Sequence, residues 1–469
     1  MFSFVKISTA ALVISLAFLT PVSAQEEGID ISAADVLRMI EENGAFAFQA
    51  ASADLDIAKA REDEARAALF PRLDLSATAR HFESTAWYKY PKDGEEVWGG
   101  LSVTQPVYDF GKTGSKIDAG KYDVEAAKQK MKAAKNVVLL EGMALFYELH
   151  ASELLVHSQN ENFANAYVKW ERAKENMDLG REDGVIVAEK LALLEKSRVV
   201  YYRELSNNQN LRTRLTELTG MELPGELINP PKPPKEKPFD VDRDLFVDAI
   251  VKTNPELQAL VNQAKAKGML RSGIGSRPVV EAFGEIGESS RDLRSRNRYA
   301  VGARMSWPLF DGGINSAQRA RLAGEEGRLN AKIDVLRREL RRKAYKALMD
   351  RDNAYRQVIM AQAMLDYANK NLLRRQQLYS QDREADLGRA MIVHAEGEAE
   401  LVRATGAYDV DRARIAVMLG EHPLRGLEKG FLSEVTGQSE ALPDEQYTPK
   451  GGSGFGQEDQ NELNRKKRP

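Results

Sequence analysis

Side chains able to do chemistry are present, but their spacing assembles no reactive site. The five histidines, His81, His150, His157, His394 and His422, form no His-Glu-x-x-His pair. His150 and His157 recur at seven-residue spacing on one helical face, where packing or solvation is expected before metal ligation. There is no Gly-x-x-x-x-Gly-Lys loop to cradle a phosphate, so energy must come from a partner. There is no Gly-x-Ser-x-Gly elbow for a nucleophile. The chain has no Cys, which excludes thiol catalysis, disulfides, Cys-ligated metal and a lipid-modified N-terminal Cys. Carboxylate pairs abound, but on charged helical patterns they are solvated faces. The expectation is a protein without enzymatic activity, cofactor or metal.

The elements that carry these side chains are those of an exported, repetitive chain. Of 469 residues, 43% are hydrophobic and 29% charged, a globular balance. A net charge of −3 gives no electrostatic reason to expect nucleic acid. Lys6 precedes an apolar run from Ile7 to Leu19, and Val22-Ser23-Ala24 places small residues before Gln25. That is the layout of a cleaved signal peptide over residues 1–24. The run falls short of the ~20 apolar residues needed to span a bilayer, and no other stretch is long and apolar enough.

The remainder is duplicated. Gln105-Pro106-Val107-Tyr108-Asp109-Phe110-Gly111 matches Trp307-Pro308-Leu309-Phe310-Asp311-Gly312-Gly313. Upstream, Asp35-Val36-Leu37 resembles Asp244-Leu245-Phe246; downstream, the stretch ending at Gly220 resembles the one ending at Gly420. Three anchors in one order define repeats over residues 25–220 and 242–420. Residues 221–241 hold Pro224, Pro230, Pro231, Pro233, Pro234 and Pro238 and read as an extended linker. The tail, 421–469, is expected to be largely disordered.

Each repeat reads helix, hairpin, very long helix, returning helix. Ala33 to Leu69 is one run of good helix formers ended by Pro71. Hairpins follow at about residues 72–106 and, after Pro278, about 279–308. Leu73, Leu75, Ala77 and Ala79 alternate with Asp74, Ser76, Thr78 and Arg80, and Tyr299, Val301, Ala303 and Met305 alternate with small or polar residues. Each run has about ten residues, the length of a tilted membrane strand. Asp109 and Asp311 are placed to cap the following helices. No proline interrupts Gly111 to Leu179, ~100 Å of helix at 1.5 Å per residue. Leu149, Val156, Phe163, Trp170 and Met177 recur every seven residues, as do Val358, Leu365, Leu372 and Tyr379, which marks coiled-coil packing. Turns follow at Gly180–Gly184 and about Ser380–Gly388.

Two amphipathic hairpins leave two readings open: an ordinary sheet with one wet face, or strands in lipid. Long helices already paired with each other offer no cover for the apolar face. In lipid, strands survive only in a closed barrel, and four strands are too few to close one. Copies must then associate. Aromatics at both ends of the strands fit interfacial belts: Phe70, Tyr108, Phe110, Trp307 and Phe310 at the joints, Phe82, Trp87, Tyr88 and Tyr90 at the far hairpin. Arg291, Arg294, Arg296 and Arg298 in the other hairpin are suited to anionic head groups or to plain solvation.

With its leader, duplicated plan and repeated Pro-x-[Tyr/Phe]-Asp-x-Gly joint (Pro106, Asp109, Gly111; Pro308, Asp311, Gly313), the chain resembles the TolC-like outer-membrane efflux protein family over about residues 31–420. The resemblance implies a mainly α fold with a small β part: an α-helical barrel plus a transmembrane β-barrel completed by a homotrimer in the Gram-negative outer membrane. It implies a passive exit duct for type I protein secretion or small-molecule efflux. Its partners would be outer-membrane lipid, a periplasmic adaptor, and an inner-membrane transporter, ABC or proton-driven. Gly180, Arg181, Asp183, Gly184 and Gly388 would form the adaptor-contact turns. Carboxylates after the second turn ring the aperture and bind cations in that family; Asp386 falls at one such position, with Asp382 and Glu384 as alternatives and Arg389 near the second. Three copies of one acid around a constriction would concentrate negative potential; solvated turn residues are the plainer reading. The alternative for the whole chain is a soluble periplasmic coiled-coil scaffold or chaperone.

Overall fold

The computed structural model describes residues 31–83, 93–223, 225, 227, 230–235, 237–290, 299–381 and 386–438. The two repeats fold to the same succession. The first comprises α1 (Ala33–Asn43), α2 (Ala45–Ala67), β1 (Arg72–Glu83), β2 (Asp93–Tyr108), α3 (Lys112–Asp178) and α4 (Gly184–Thr219). The second comprises α5 (Arg243–Thr253), α6 (Pro255–Gly273), β3 (Val279–Ser289), β4 (Tyr299–Ser306), α7 (Ile314–Ser380) and α8 (Leu387–Met418). The long helices α3 and α7 each have 67 residues. Nothing in either sequence interrupts them, because proline is absent from both.

The helix expected over Ala33 to Leu69 is two helices. The break falls at Gly44, where the Leu218 carbonyl oxygen at the end of α4 approaches so closely that a Cβ would collide with it. In the second repeat Asn254 and Pro255 make the same break. Asn254 caps α6 through the Leu257 N–H at 3.1 Å, and Pro255 sits where its missing N–H costs nothing. The returning helices stop at Gly220 (φ +69°) and Gly420 (φ +78°), left-handed positions that suit glycine.

Two compact units result. The first holds α1, α4, the C-terminal part of α3, the end of α7 and most of α8. In it α1 lies on α4, burying Leu37 and Ile40, with Leu211 and Leu215 buried along α4. The second holds α2, the N-terminal part of α3, α5, α6, the sheet, most of α7 and the chain from residue 407. Its core joins Phe246, Ile250 and Leu257 to Ile333, Leu340 and Ala344 of α7 and to Ile415. Contrary to expectation, the tail folds at first. A 3-10 turn at Pro423–Leu427 leads to α9 (Phe431–Thr436), and Phe431 is buried in that core. An apolar residue with a core to join outweighs the loop-like composition around it. Residues 439–469 lie outside the described residues.

The four strands form one antiparallel sheet in the order β1-β2-β3-β4. β2 pairs with β3 across the repeats, from Trp98 opposite Ser289 to Tyr108 opposite Val280, with an irregularity between Pro106 and Tyr108. Among the described strands, β1 and β4 are the edges.

Candidate functional site: the sheet faces and the two helical turns

Register lines like residues into rows across the sheet. Leu75 opposes Leu101, which opposes Ile286, which opposes Tyr299. The next row on that face is Leu73, Val103, Gly284 and Val301. Between them runs Asp74, Ser102, Glu285 and Ala300, pointing the other way. The apolar rows are bare: Leu75 is 81% exposed and Val301 86%. Along β2 the alternation runs opposite to that of a water-soluble sheet. Val97, Leu101 and Val103 are exposed, while Trp98, Gly100, Ser102 and Thr104 are at least half covered.

Cover falls on the polar face along β2, whereas Arg80, Glu285 and Arg304 of that face are exposed. Glu96 is buried there, paired to Arg80 at 2.6 Å and accepting from the Ser289 hydroxyl at 3.2 Å. The Trp98 ring lies where a Cβ on Gly100 would stand, and its atoms are 3.0 Å from where one on Gly287 would be, so a side chain at Gly100 would displace the ring. Arg304 stacks on Phe283 with its guanidinium 5.0 Å from the ring centre.

The strand–helix joints are built alike. Asp109 accepts from the N–H groups of Gly111 (3.1 Å) and Thr113 (2.6 Å); Asp311 accepts from Gly313 (2.9 Å) and Asn315 (3.0 Å). Burial pushes the Asp109 carboxyl up, but the Thr113 and backbone donors outweigh it and hold it below the usual range. Asp311 is held low by the Asn315 and Gly313 N–H groups. Two left-handed residues in succession turn each strand into its helix. They are Phe110 (φ +55°) and Gly111 (φ +85°) in one joint, Gly312 (φ +64°) and Gly313 (φ +89°) in the other. Phe110 adopts the strained conformation with its ring edge-on to Tyr108 at 4.6 Å, and its carbonyl accepts from Arg277 at 2.6 Å. Pro71 precedes β1 and Pro278 precedes β3, where a missing N–H breaks no ladder; Pro106 sits at the β2 irregularity and Pro308 just past β4. Of the aromatics at the joints, Phe310 is 89% exposed, and Phe70, Tyr108, Phe110 and Trp307 are exposed as well. Phe82 lies near the end of β1, while Trp87, Tyr88, Tyr90 and the four arginines of the second hairpin fall outside the described residues.

At the first helical turn, Gly180 (φ +69°) closes α3, and the Arg181 N–H reaches back to the Asn176 carbonyl at 2.8 Å. Asp183 caps α4 through Val185 (2.7 Å) and Ile186 (3.2 Å), so Gly184 opens the helix. Leu179 and Val185 stand exposed at this tip, a feature missed in the sequence because two isolated apolar residues make no periodic signal.

At the second turn, Asp386 caps α8 by accepting from the Arg389 N–H at 3.1 Å, and Lys169 of α3 approaches its other oxygen at 3.4 Å. Burial pushes this carboxyl up, yet the Arg389 N–H and the Lys169 ammonium hold it below the usual range. Gly388 presses α8 onto Asn165 of α3, 2.9 Å from where its Cβ would be. Asp382 and Glu384 lie outside the described residues. The seven-residue seam is buried at Leu149 and Val358 and opens toward the turns, where Met177 and Tyr379 are exposed. Of the paired histidines, His150 is buried and His157 exposed. Among the described residues no helix is long and apolar enough to cross a membrane, and no three His, Asp or Glu side chains are placed to hold a metal ion.

Residues 41–221 match the family model described as outer membrane efflux protein. No curated protein matches the chain. Solved structures share the fold. The CmeC outer membrane channel of Campylobacter jejuni aligns over 93% of this chain and 98% of its own at a TM-score of 0.67 and 15% identity. The open state of the MtrE outer membrane channel of Neisseria gonorrhoeae aligns over 85% and 91% at 0.59 and 17%. The outer membrane protein VceC of Vibrio cholerae aligns over 83% and 96% at 0.60 and 17%.

Proposed function

We propose that the chain is one protomer of an outer-membrane exit duct, a passive conduit of a tripartite export system. The observation that carries this reading is the bare apolar face of the sheet, with Glu96, Trp98 and Gly100 of the opposite face covered along β2. In water such a face would drive aggregation; in hydrocarbon it is the stable outer surface of a barrel, with the polar face lining the lumen. The match of residues 41–221 to an efflux family and the shared channel fold support it. Four strands with open edges at β1 and β4 cannot seal in lipid. Three copies supply about twelve strands, above the minimum of roughly eight for a barrel, so a homotrimer is the assembly that fits. The helices then stand in the periplasm, and the turn at Gly180–Gly184, with its exposed Leu179 and Val185, meets a periplasmic adaptor that links the duct to an inner-membrane transporter. Asp386, kept ionised by its own helix, is the acid suited to the aperture, where threefold repetition would attract cations. No catalytic step is assigned to any residue; cargo is protein or small molecule.

Envelope fractionation followed by electrophoresis with and without heating tests this role. A detergent-extracted, heat-dissociable oligomer in the outer-membrane fraction is expected. A soluble monomer in the periplasmic fraction overturns it in favour of a scaffold or chaperone.

A further inference from the structure

A cavity of about 310 Å³ lies in the second unit between the proline-rich linker, the last turns of α8 and the 3-10 turn leading into α9. Its described lining carries five cations, Lys235, Lys237, Arg351, Arg412 and Lys429, against the single carboxylate of Glu428. That carboxylate is already paired with Arg425. Arg351 is 4% exposed, yet its only partner among the described residues is its neighbour Asp352, reached from Nε (2.9 Å) and Nη2 (2.6 Å). Asp352 engages Nε and Nη2, so the Nη1 edge of the guanidinium is not held by that carboxylate. Arg412 spends one amino group on the Glu428 carbonyl at 3.2 Å and lies 5.6 Å over the Tyr408 ring. Lys235 and Lys237 form no ion pair among the described residues.

Burying a cation is costly; Lys429 has a partner of its own, and the charges of Lys235, Lys237 and Arg412 beside Arg351 add repulsion. The geometry points to an oxyanion-binding pocket, built to hold a carboxylate or phosphate group between the linker and the C-terminal end of the chain. Guanidinium pairs with such groups through two parallel hydrogen bonds, and the lysines add point charge. Occupied, the pocket fastens Lys235 and Lys237 of the linker to Arg351 and Arg412 through one shared anion.

Two sources can present that chemistry. One is a free solute anion. The other is the chain itself: Glu440, Asp444 and Glu445 follow Gln438, with no cation before Lys450. The Gln438 side chain accepts from the Asp242 N–H at 2.9 Å, three residues past Phe239, which lines the cavity. An extended residue spans at most ~3.6 Å, so all three acids are within ~25 Å of Gln438.

The full-length protein in detergent, titrated with inorganic phosphate at constant ionic strength, separates these outcomes by thermal melting and calorimetry. A solute site predicts a saturable rise in Tm that weakens at least tenfold in Lys235→Gln/Arg412→Gln. A site filled by the chain's own acids predicts no response in the natural sequence, and the same saturable response once Glu440→Gln, Asp444→Asn and Glu445→Gln are introduced together. Arg351 is left untouched because its burial makes misfolding the simplest result, and circular dichroism verifies each variant. Absence of saturable binding in both the natural and the tail-neutralised chain overturns the inference, as does binding unaffected by the Lys235→Gln/Arg412→Gln pair.

Discussion

Glu153 on α3 and Arg212 on α4 form a buried ion pair that also holds the linker. The second Glu153 oxygen accepts from the Leu227 N–H at 2.9 Å, and Arg212 donates to the carbonyls of Gly225 (2.7 Å) and Leu223 (3.2 Å). Glu153→Ala would leave a guanidinium and a backbone N–H short of an acceptor. A loss of about 2–3 kcal/mol is expected, toward the lower end for buried pairs because Arg212 keeps some water contact. Thermal melting measures it, and faster proteolysis within residues 221–241 would locate it. Unchanged melting together with unchanged cleavage refutes the latch.

The bare rows of the sheet make opposite demands on neighbouring positions. In the proposed barrel Val301→Arg would place a charge in hydrocarbon, at about 2–4 kcal/mol near the bilayer midplane, and should abolish the heat-dissociable oligomer. Ala300→Arg, one residue away on the polar face, should assemble normally. Equal behaviour of the two variants contradicts the assignment of the faces.

Asp386 joins a cap to an ion pair. Its carboxyl is held below the ordinary value, so the stability it lends is complete above about pH 4 and lost as pH falls through its own lower pKa. Asp386→Ala should cost the α8 cap about 1 kcal/mol. In planar bilayers it should also weaken block of single-channel current by multivalent cations several-fold. Block that persists unchanged removes Asp386 from the aperture.

His150 is buried with Nδ1 unpartnered, and burial lowers its pKa. The unfolded chain therefore takes up a proton at higher pH than the folded one. Stability should decline as pH falls from about 6.5 toward the lower folded value. His150→Phe should flatten the Tm profile over that interval; a slope that survives the substitution points to another group.

Much of the fold could be read because local signals were strong and repeated. Period-two alternation near Leu75 and Val301 marked strands, and proline-free stretches marked the long helices. What escaped depended on distant chain. The break at Gly44 coincides with a close approach of the Leu218 carbonyl, whereas glycine alone costs only ~1 kcal/mol inside a helix. The six-residue α9 is too short for periodicity and exists because Phe431 finds a core. At the turns, Asp386 could be singled out by position, but its partner Lys169 is 217 residues away, and no spacing rule links them. The β2–β3 pairing across the repeats was likewise invisible, since either hairpin could have ended the sheet.

The open rims of β1 and β4 bear on biogenesis. In the proposed role, a newly made copy would reach the periplasm with two unpaired backbone edges and a greasy flank, neither tolerable alone in water or in lipid. Membrane insertion and zippering to sibling chains would then be one concerted event. Maturation would rise more steeply than linearly with expression, because it waits on collisions among copies rather than on the folding of any single one.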